Sequence, residues 1–203
     1  MDSTNNMIKA IIFDLNGVFI QSRMLSERFA EDFSVPSEKF LPALKDIMAQ
    51  VRLPNANGLY SYWQPYFQDW KIDLSEQEFY DYWFKAETDI PKMLELAENM
   101  KKQGLKIFIL SNNLRERAHF YEETFSFLKT LPEKVYYSWQ TGFVKPDERA
   151  YELILKENNL LPEECLYFDD SEKNVEVANS LGIKSYKFND LKTLKEQLNQ
   201  NSL

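Results

Sequence analysis

Five short apolar runs stand out along the chain, each too continuous for a half-exposed strand. They are Met7 to Phe13 (with Ile8, Ile11, Ile12 and Phe13), Leu105 to Leu110, the shorter Val135 to Tyr137, Cys165 to Phe168, and Lys184 to Phe188. Such runs predict buried strands. Helical spacing fills the gaps between them. Pro91 to Gln103 repeats Met93, Leu94, Leu96, Ala97 and Met100 on one face, and Gly104 closes it as a C-terminal glycine does. Asp147 to Glu157 carries Ala150, Tyr151, Ile154 and Leu155, and Glu172 to Leu181 carries Val175, Val177, Ala178 and Leu181 before Gly182. Arg115 to Phe127 is a further helical stretch. Strands alternating with helices predict βαβ units, hence an α/β fold on a mostly parallel sheet.

One stretch breaks the alternation. Between about residues 21 and 90 no buried strand is predicted, and the pattern is helical over Met24 to Phe33, Ser37 to Val51 and Ser75 to Glu87. Ser75 with Glu78 has the spacing of a capping box. The stretch is crowded with rings, among them Tyr60, Tyr62, Trp63, Tyr66, Phe67, Trp70, Phe79, Tyr80, Tyr82, Trp83 and Phe84. The division expected is a core of residues 1–20 and 91–203, with a helical unit at 21–90 placed as a lid over the C-terminal edge of the sheet. Most of its rings must form its own core, because a small helical unit needs large apolar side chains. Tyr60, Trp63 and Phe67 follow Gly58 in a less regular stretch and are the candidates for facing a substrate. Arg23 and Arg52 are candidates for reaching a substrate anion. Residues 199–203 read as a frayed polar tail.

The chain has 203 residues, 44% hydrophobic and 28% charged, which is enough for a proper core. With 24 Lys+Arg against 32 Asp+Glu the net charge is −8. That disfavours nucleic-acid binding, which relies on basic surface, but leaves room for a phosphorylated small molecule. One cysteine, Cys165, excludes an internal disulfide and a cysteine metal cluster; it reads as a small core residue. One histidine, His119, limits any Ser-His-Asp triad to that residue, and its segment suits a packing or surface role. No apolar run approaches the roughly 20 residues of a membrane-spanning helix. Met1 to Asn6 lacks a signal-peptide core, so a cytoplasmic protein is expected.

Chemistry concentrates just after the predicted strands, the edge where open α/β sheets bind ligands. Asp14 follows the first strand and Ser111-Asn112-Asn113 the second. Lys145 lies in Gly142-Phe143-Val144-Lys145-Pro146 after the third, and Asp169-Asp170 follow the fourth. Taken singly, each has an ordinary reading: a turn or cap for Asp14, an N-cap for Ser111 and Asn112, a solvated lysine for Lys145, and a capping pair for Asp169-Asp170. Together they supply a carboxylate nucleophile, a hydroxyl, a fixed cation and paired carboxylates. That set suits phosphoryl transfer through an aspartyl-phosphate. Asp14 with Asp170 has the hard oxygens that Mg²⁺ takes while keeping several waters. Ser111, neighbouring backbone amides and Lys145 would hold the phosphoryl oxygens.

The chain resembles the haloacid dehalogenase superfamily, specifically its phosphatase-like members with a helical cap after the first strand. The resemblance rests on four motifs in order: Phe13-Asp14-Leu15-Asn16-Gly17-Val18, Leu110-Ser111-Asn112, Lys145-Pro146, and Tyr167-Phe168-Asp169-Asp170 with Asn174 beyond. It covers about residues 7–198 and implies a Rossmann-like parallel-sheet core. It further implies Asp14 as nucleophile and Mg²⁺ ligand, and Asn16 as a metal ligand through its backbone carbonyl. Ser111, Asn112 and Lys145 would bind phosphate, and Asp170 would be the acidic metal ligand with Asp169 and Asn174 beside it. The substrate implied is a small phosphorylated metabolite of the sugar-phosphate kind, and the oligomeric state is left open.

Asn16 departs from the pattern. Family phosphatases usually have an aspartate there, which protonates the leaving oxygen and then activates water; an amide does neither. General acid–base catalysis contributes about 10²–10⁴ in rate, against total accelerations of up to about 10²¹ for phosphate monoesters. Its loss slows such an enzyme without abolishing it. Asn16 is a natural residue, a mark of different chemistry, or an engineered change that traps substrate. Two alternatives therefore stand beside the phosphatase. One is a metal-free carbon–halogen hydrolase, against which the Asp169-Asp170 pair argues. The other is a non-catalytic module that binds phosphate ligands or a partner.

Overall fold

The computed structural model describes residues 7–201 and 203; the reading of Met1 to Asn6 lies outside them. Strands β1 (Ala10–Phe13), β2 (Ile20–Gln21), β3 (Thr88–Asp89), β4 (Lys106–Ser111), β5 (Lys134–Tyr137), β6 (Cys165–Asp169) and β7 (Lys184–Lys187) form two sheets. The larger has the order β5-β4-β1-β6-β7. Every pairing in it is parallel, with Phe13 opposite Ile109 on one side and Phe168 on the other. All five expected strands are present, displaced by a few residues at their ends.

Alternation along β1 builds two cores at once. Ile11 and Phe13 point to one face and Ala10 and Ile12 to the other, and all four are fully buried. The first face is covered by the helices over Pro91–Lys102, Arg115–Thr124 and Leu191–Gln200 through Met93, Ala97, Ala118, Tyr121 and Leu194. The second is covered by the helices over Glu148–Asn158 and Glu172–Ser180 through Ala150, Tyr151, Ile154 and Ala178. Cys165 lies inside this second cluster, and burial pushes its thiol pKa up to about 12. His119 packs its ring edge-on to Trp139. The expected polar tail is helical to Gln200, with Asp190 accepting from Thr193 N–H at its start and Leu203 resting on the core.

Between β1 and β4 the chain makes a helical insert: α1 (Leu25–Phe33), α2 (Ser37–Val51), α3 (Leu59–Trp70) and α4 (Glu76–Phe84). The capping box at Ser75 and Glu78 is formed. The third helix was not expected, because Gly58 and Pro65 are poor helix signals. It forms because its inner face buries Leu59, Trp63 and Phe67. The insert leaves and rejoins the core through the antiparallel pair β2–β3, with Ile20 opposite Asp89 and Ile90 N–H donating to Phe19 O at 2.8 Å.

Tyr60, Trp63 and Phe67 do not face a substrate. Trp63 is fully buried and packs on Phe29, Phe40 and Phe79, Phe67 packs on Phe79, and the Tyr60 hydroxyl donates to Leu74 O at 2.6 Å. Desolvating these large surfaces inside the insert outweighs presenting them to a ligand. Trp63→Ala is therefore expected to cost about 3–5 kcal/mol in chemical denaturation; a ring serving only a ligand surface would leave the unfolding midpoint in place.

Candidate active site

The first strand ends on Asp14, whose N–H donates to Phe168 O at 2.9 Å and so locks the tip of β1 to β6. The chain then turns through Gly17 at φ +84°, a left-handed conformation suited to glycine. A side chain at Gly17 would also collide with Asp170, since a Cβ there would lie 2.7 Å from its Oδ2. Gly17 thus lets the Asp14 and Asp170 loops come together.

Lys145 is the hub. Its side chain is 2% exposed, and Nζ donates to Asp14 Oδ1 at 2.8 Å and to Asp169 Oδ2 at 2.6 Å. Burial opposes its charge, but the two carboxylates outweigh that and raise its pKa. The carboxylates share this one cation unequally. Asp169 is fully buried, and burial pushes its pKa up, yet Lys145, the Tyr167 hydroxyl and Ser171 N–H together hold it below the ordinary value. Asn174 Nδ2 adds a donor at 3.0 Å from each Asp169 oxygen. Burial of Asp14 is only partly offset by Lys145, and Asp169 repels it, so its pKa rises to about 6. Asp170 is also raised, by burial and by Asp169.

Ser111 ends β4 and is buried, and its Oγ has no hydrogen-bond partner. An orphaned buried hydroxyl costs free energy unless a ligand completes it. Asn112 serves differently from the expectation. Its Oδ1 accepts from Lys145 N–H and its Nδ2 donates to Lys145 O, both at 2.8 Å. This two-point clamp makes it a positioning residue for the lysine. Neighbouring Asn113 is buried and accepts from Leu114 N–H.

The acidic residues fit a divalent cation. Ligand atoms of Asp14, Asp169 and Asp170 lie within 4.8 Å of one another. Both Asp169 oxygens already have donors, which leaves Asp14 and Asp170 as the carboxylates for the ion. Two carboxylates with retained waters are what Mg²⁺ takes.

These groups open on one cavity of about 370 Å³, lined among others by Asp14, Asn16, Ser111, Asn112, Lys145 and Asp170. Asn174 also borders it. Two arginines complete its wall. Arg52, at the end of α2, does reach the cavity; Arg23 instead pairs with Glu31 on the surface at 2.6 Å. Arg117, not singled out from the sequence, pairs through two nitrogens with buried Glu87 and lies over the rings of Trp83 and Tyr121. No spacing rule flags it, because its partner is 30 residues away in the insert's return segment. Asn16 Nδ2 donates to the Tyr121 hydroxyl at 2.7 Å, and burial with the nearby Glu87 pushes the Tyr121 pKa up against the pull of Arg117. No helix among the described residues is long and apolar enough to cross a membrane.

Fold and site together place a carboxylate, a hydroxyl and a buried cation at the C-terminal ends of the parallel strands of an α/β sheet. The chain belongs to the haloacid dehalogenase-like hydrolases, whose family model matches residues 8–182. Over 211 aligned residues it is 24% identical to a phosphorylated carbohydrates phosphatase of Thermotoga maritima, covering 93% of this chain and 91% of that protein. It is 30% identical over 54 residues to a D-ribitol-5-phosphate phosphatase of Bacteroides thetaiotaomicron, 27% of this chain and 26% of that one. A match to mouse acyl-CoA dehydrogenase family member 10, 30% identical, covers 53% of this chain but 10% of that protein. The chain thus spans well under two thirds of the length of some curated relatives. Among solved structures, a family enzyme from Bacteroides thetaiotaomicron superposes with a TM-score of 0.77 at 22% identity, covering 93% of this chain and 98% of that one. That enzyme has also been crystallised with magnesium and inorganic phosphate.

A buried carboxylate with a raised pKa destabilises its own fold once ionised. The folded state holds the Asp14 proton up to about pH 6, against 3.8 for an unperturbed aspartate. The contribution is therefore stabilising at low pH and is lost as pH rises through 6. In EDTA, Asp14→Asn should be more stable than the parent by about 1–3 kcal/mol at pH 7.5, with the gap closing toward pH 4. Adding Mg²⁺ should raise the melting temperature of the parent, but not of Asp14→Asn or Asp170→Asn. A parent that Mg²⁺ leaves unmoved, or an Asp14→Asn protein less stable in EDTA, would sink this assignment.

Proposed function

We propose that the chain is a magnesium-dependent phosphatase of a small phosphorylated metabolite, sugar phosphate-like, working through an aspartyl-phosphate on Asp14. The observation that carries this reading is the convergence of Asp14, orphaned Ser111 Oγ, clamped Lys145 and Asp170 on one cavity. The phosphatase names of the Thermotoga and Bacteroides relatives support it, and their carbohydrate and ribitol phosphates favour the substrate class. Residues 21–90 would be the cap, closing on the sheet edge about the β2–β3 pair.

In this reading an Asp14 carboxylate oxygen attacks phosphorus as the ester oxygen departs. Lys145 and Ser111 hold oxygens of the transferring group, and Asn112 keeps Lys145 in place. Asp14 and Asp170, with the Asn16 backbone carbonyl, would hold Mg²⁺, which when bound would supply the charge that lets an anionic carboxylate meet an anionic phosphate. Asp169 takes no part in the attack; it fixes Lys145 from behind, with Tyr167, Asn174 and Ser171 fixing Asp169. The aspartyl-phosphate is then cleaved by water. No carboxyl stands at position 16 to protonate the leaving oxygen or to activate that water, so the departing alkoxide takes its proton from solvent water and turnover is slow.

The binding-module reading draws on the same residue. Asn16 is bonded to Tyr121, and nothing at that position moves a proton. Its appeal is limited by the insert's largest rings, which lie inside the insert and not on a partner surface.

Turnover of an aryl phosphate and a sugar-phosphate panel with Mg²⁺ tests the proposal. Asp14→Asn should be inactive. Asn16→Asp should be at least about tenfold faster than the parent, within the range of general acid–base catalysis. If neither the parent nor Asn16→Asp turns over any phosphate in a metal-dependent way, the phosphatase reading fails and the binding module leads.

A further inference from the structure

Besides Lys145, three cations border the cavity: Arg117, Arg52 and the exposed Lys173. Lys145 is matched by Asp14 and Asp169, and Arg117 by Glu87. Arg52 has no ion-pair or hydrogen-bond partner among the described residues, and its Nε is buried without one. It caps the C-terminus of α2, where an arginine ordinarily bonds the last carbonyls. Here the side chain makes no such bond, and it borders the cavity instead. Burial and the neighbouring Arg117 both disfavour its charge, while Asp14 favours it. A desolvated guanidinium with an unanswered N–H, beside a second guanidinium, is an anion site lacking its anion.

The placement of Arg52 says which anion. Asp14, Ser111 and Lys145 come from the ends of sheet strands and the loop after β5, whereas Arg52 comes from the insert. A phosphoryl group centred on Asp14, Ser111 and Lys145 already has its hydroxyl and its cation. From the structure we infer that Arg52 binds a second acidic group, carboxylate or phosphate, on the alcohol portion of the substrate. This rests on the phosphatase reading and narrows it: the ester hydrolysed is that of a hydroxy acid or of a bisphosphate. The planar guanidinium fork suits either anion.

The test uses matched esters that differ only at the far end: propyl phosphate, the phosphate ester of 3-hydroxypropanoate, and 1,3-propanediol bisphosphate. For the parent, kcat/KM with one of the two acidic esters should exceed that with propyl phosphate by about 10- to 100-fold, the size of a charge-assisted hydrogen bond. Whichever acidic ester leads identifies carboxylate or phosphate. Arg52→Met should collapse that ratio toward one, and Arg52→Lys should keep part of it. A second readout needs neither turnover nor metal: calorimetric titration of the three esters into Asp14→Asn, with and without Arg52→Met. Preference for the acidic ester that disappears with Arg52→Met supports the inference even if the parent hydrolyses nothing, in which case only the phosphatase reading falls. A parent that hydrolyses all three equally, or an Arg52→Met protein that loses all three alike with the ratio unchanged, overturns it. The latter result would place Arg52 on the transferring phosphoryl group.

Discussion

One buried ammonium group holds this site together. Lys145 Nζ lies between Asp14 at the end of β1 and Asp169 at the end of β6, and Asn112, just past the end of β4, clamps its backbone. Three neighbouring strand tips and the loop after β5 are thereby tied to a single charge. Coulomb attraction at under 3 Å in a water-poor setting is strong, but one cation cannot fully satisfy two carboxylates. The deficit falls on Asp14, because Asp169 has further donors in Tyr167, Ser171 and Asn174. An electrically under-satisfied Asp14 beside a raised Asp170 is a site that a divalent cation stabilises. The unfavourable electrostatics of the bare protein and its affinity for metal are two views of the same charge imbalance.

The insert and the core meet by packing as well as by polar contacts. Leu114, from the core part of the chain, is buried among the insert's rings, and Phe120 packs on Phe84. The β2–β3 pair, the bidentate Glu87–Arg117 contact and Leu59 N–H donating to Glu116 add polar ties. Arg52 is thus presented to the cavity by an insert anchored to the core at several points.

Much of this architecture is legible in the sequence, and the exceptions have physical causes. The five sheet strands announce themselves because a parallel sheet covered on both faces needs unbroken apolar runs. The four motifs of the candidate site are readable because strand ends place them on one edge. By contrast, β2 and β3 are two residues each, too short for any periodic signal, and exist through pairing alone. The helix over residues 59–70 is hidden by Gly58 and Pro65 and revealed only by its buried rings. Leu191, Leu194 and Leu198 after Asp190 did carry a helix signature, so that final helix was there to be read. Ring count does not tell which aromatics face inward: Trp63 and Phe67 are buried inside the insert, and half-buried Tyr60 is bonded to Leu74 O. Arg52 and Arg23 look alike in sequence; a surface glutamate takes one and the cavity the other.

The setting of Asn16 bears on how its amide should be understood. Asn16 donates to the Tyr121 hydroxyl, and Arg117, which lies over the Tyr121 ring, donates through two nitrogens to buried Glu87. The amide therefore borders a buried ion pair through one phenol. A carboxylate at position 16 would instead need the phenol's proton turned toward it. Glu87 would not be stranded by that turn, because Arg117 donates to both of its oxygens. An amide fits the surroundings of position 16 as they stand, whereas a carboxylate fits them at the cost of one turned hydroxyl.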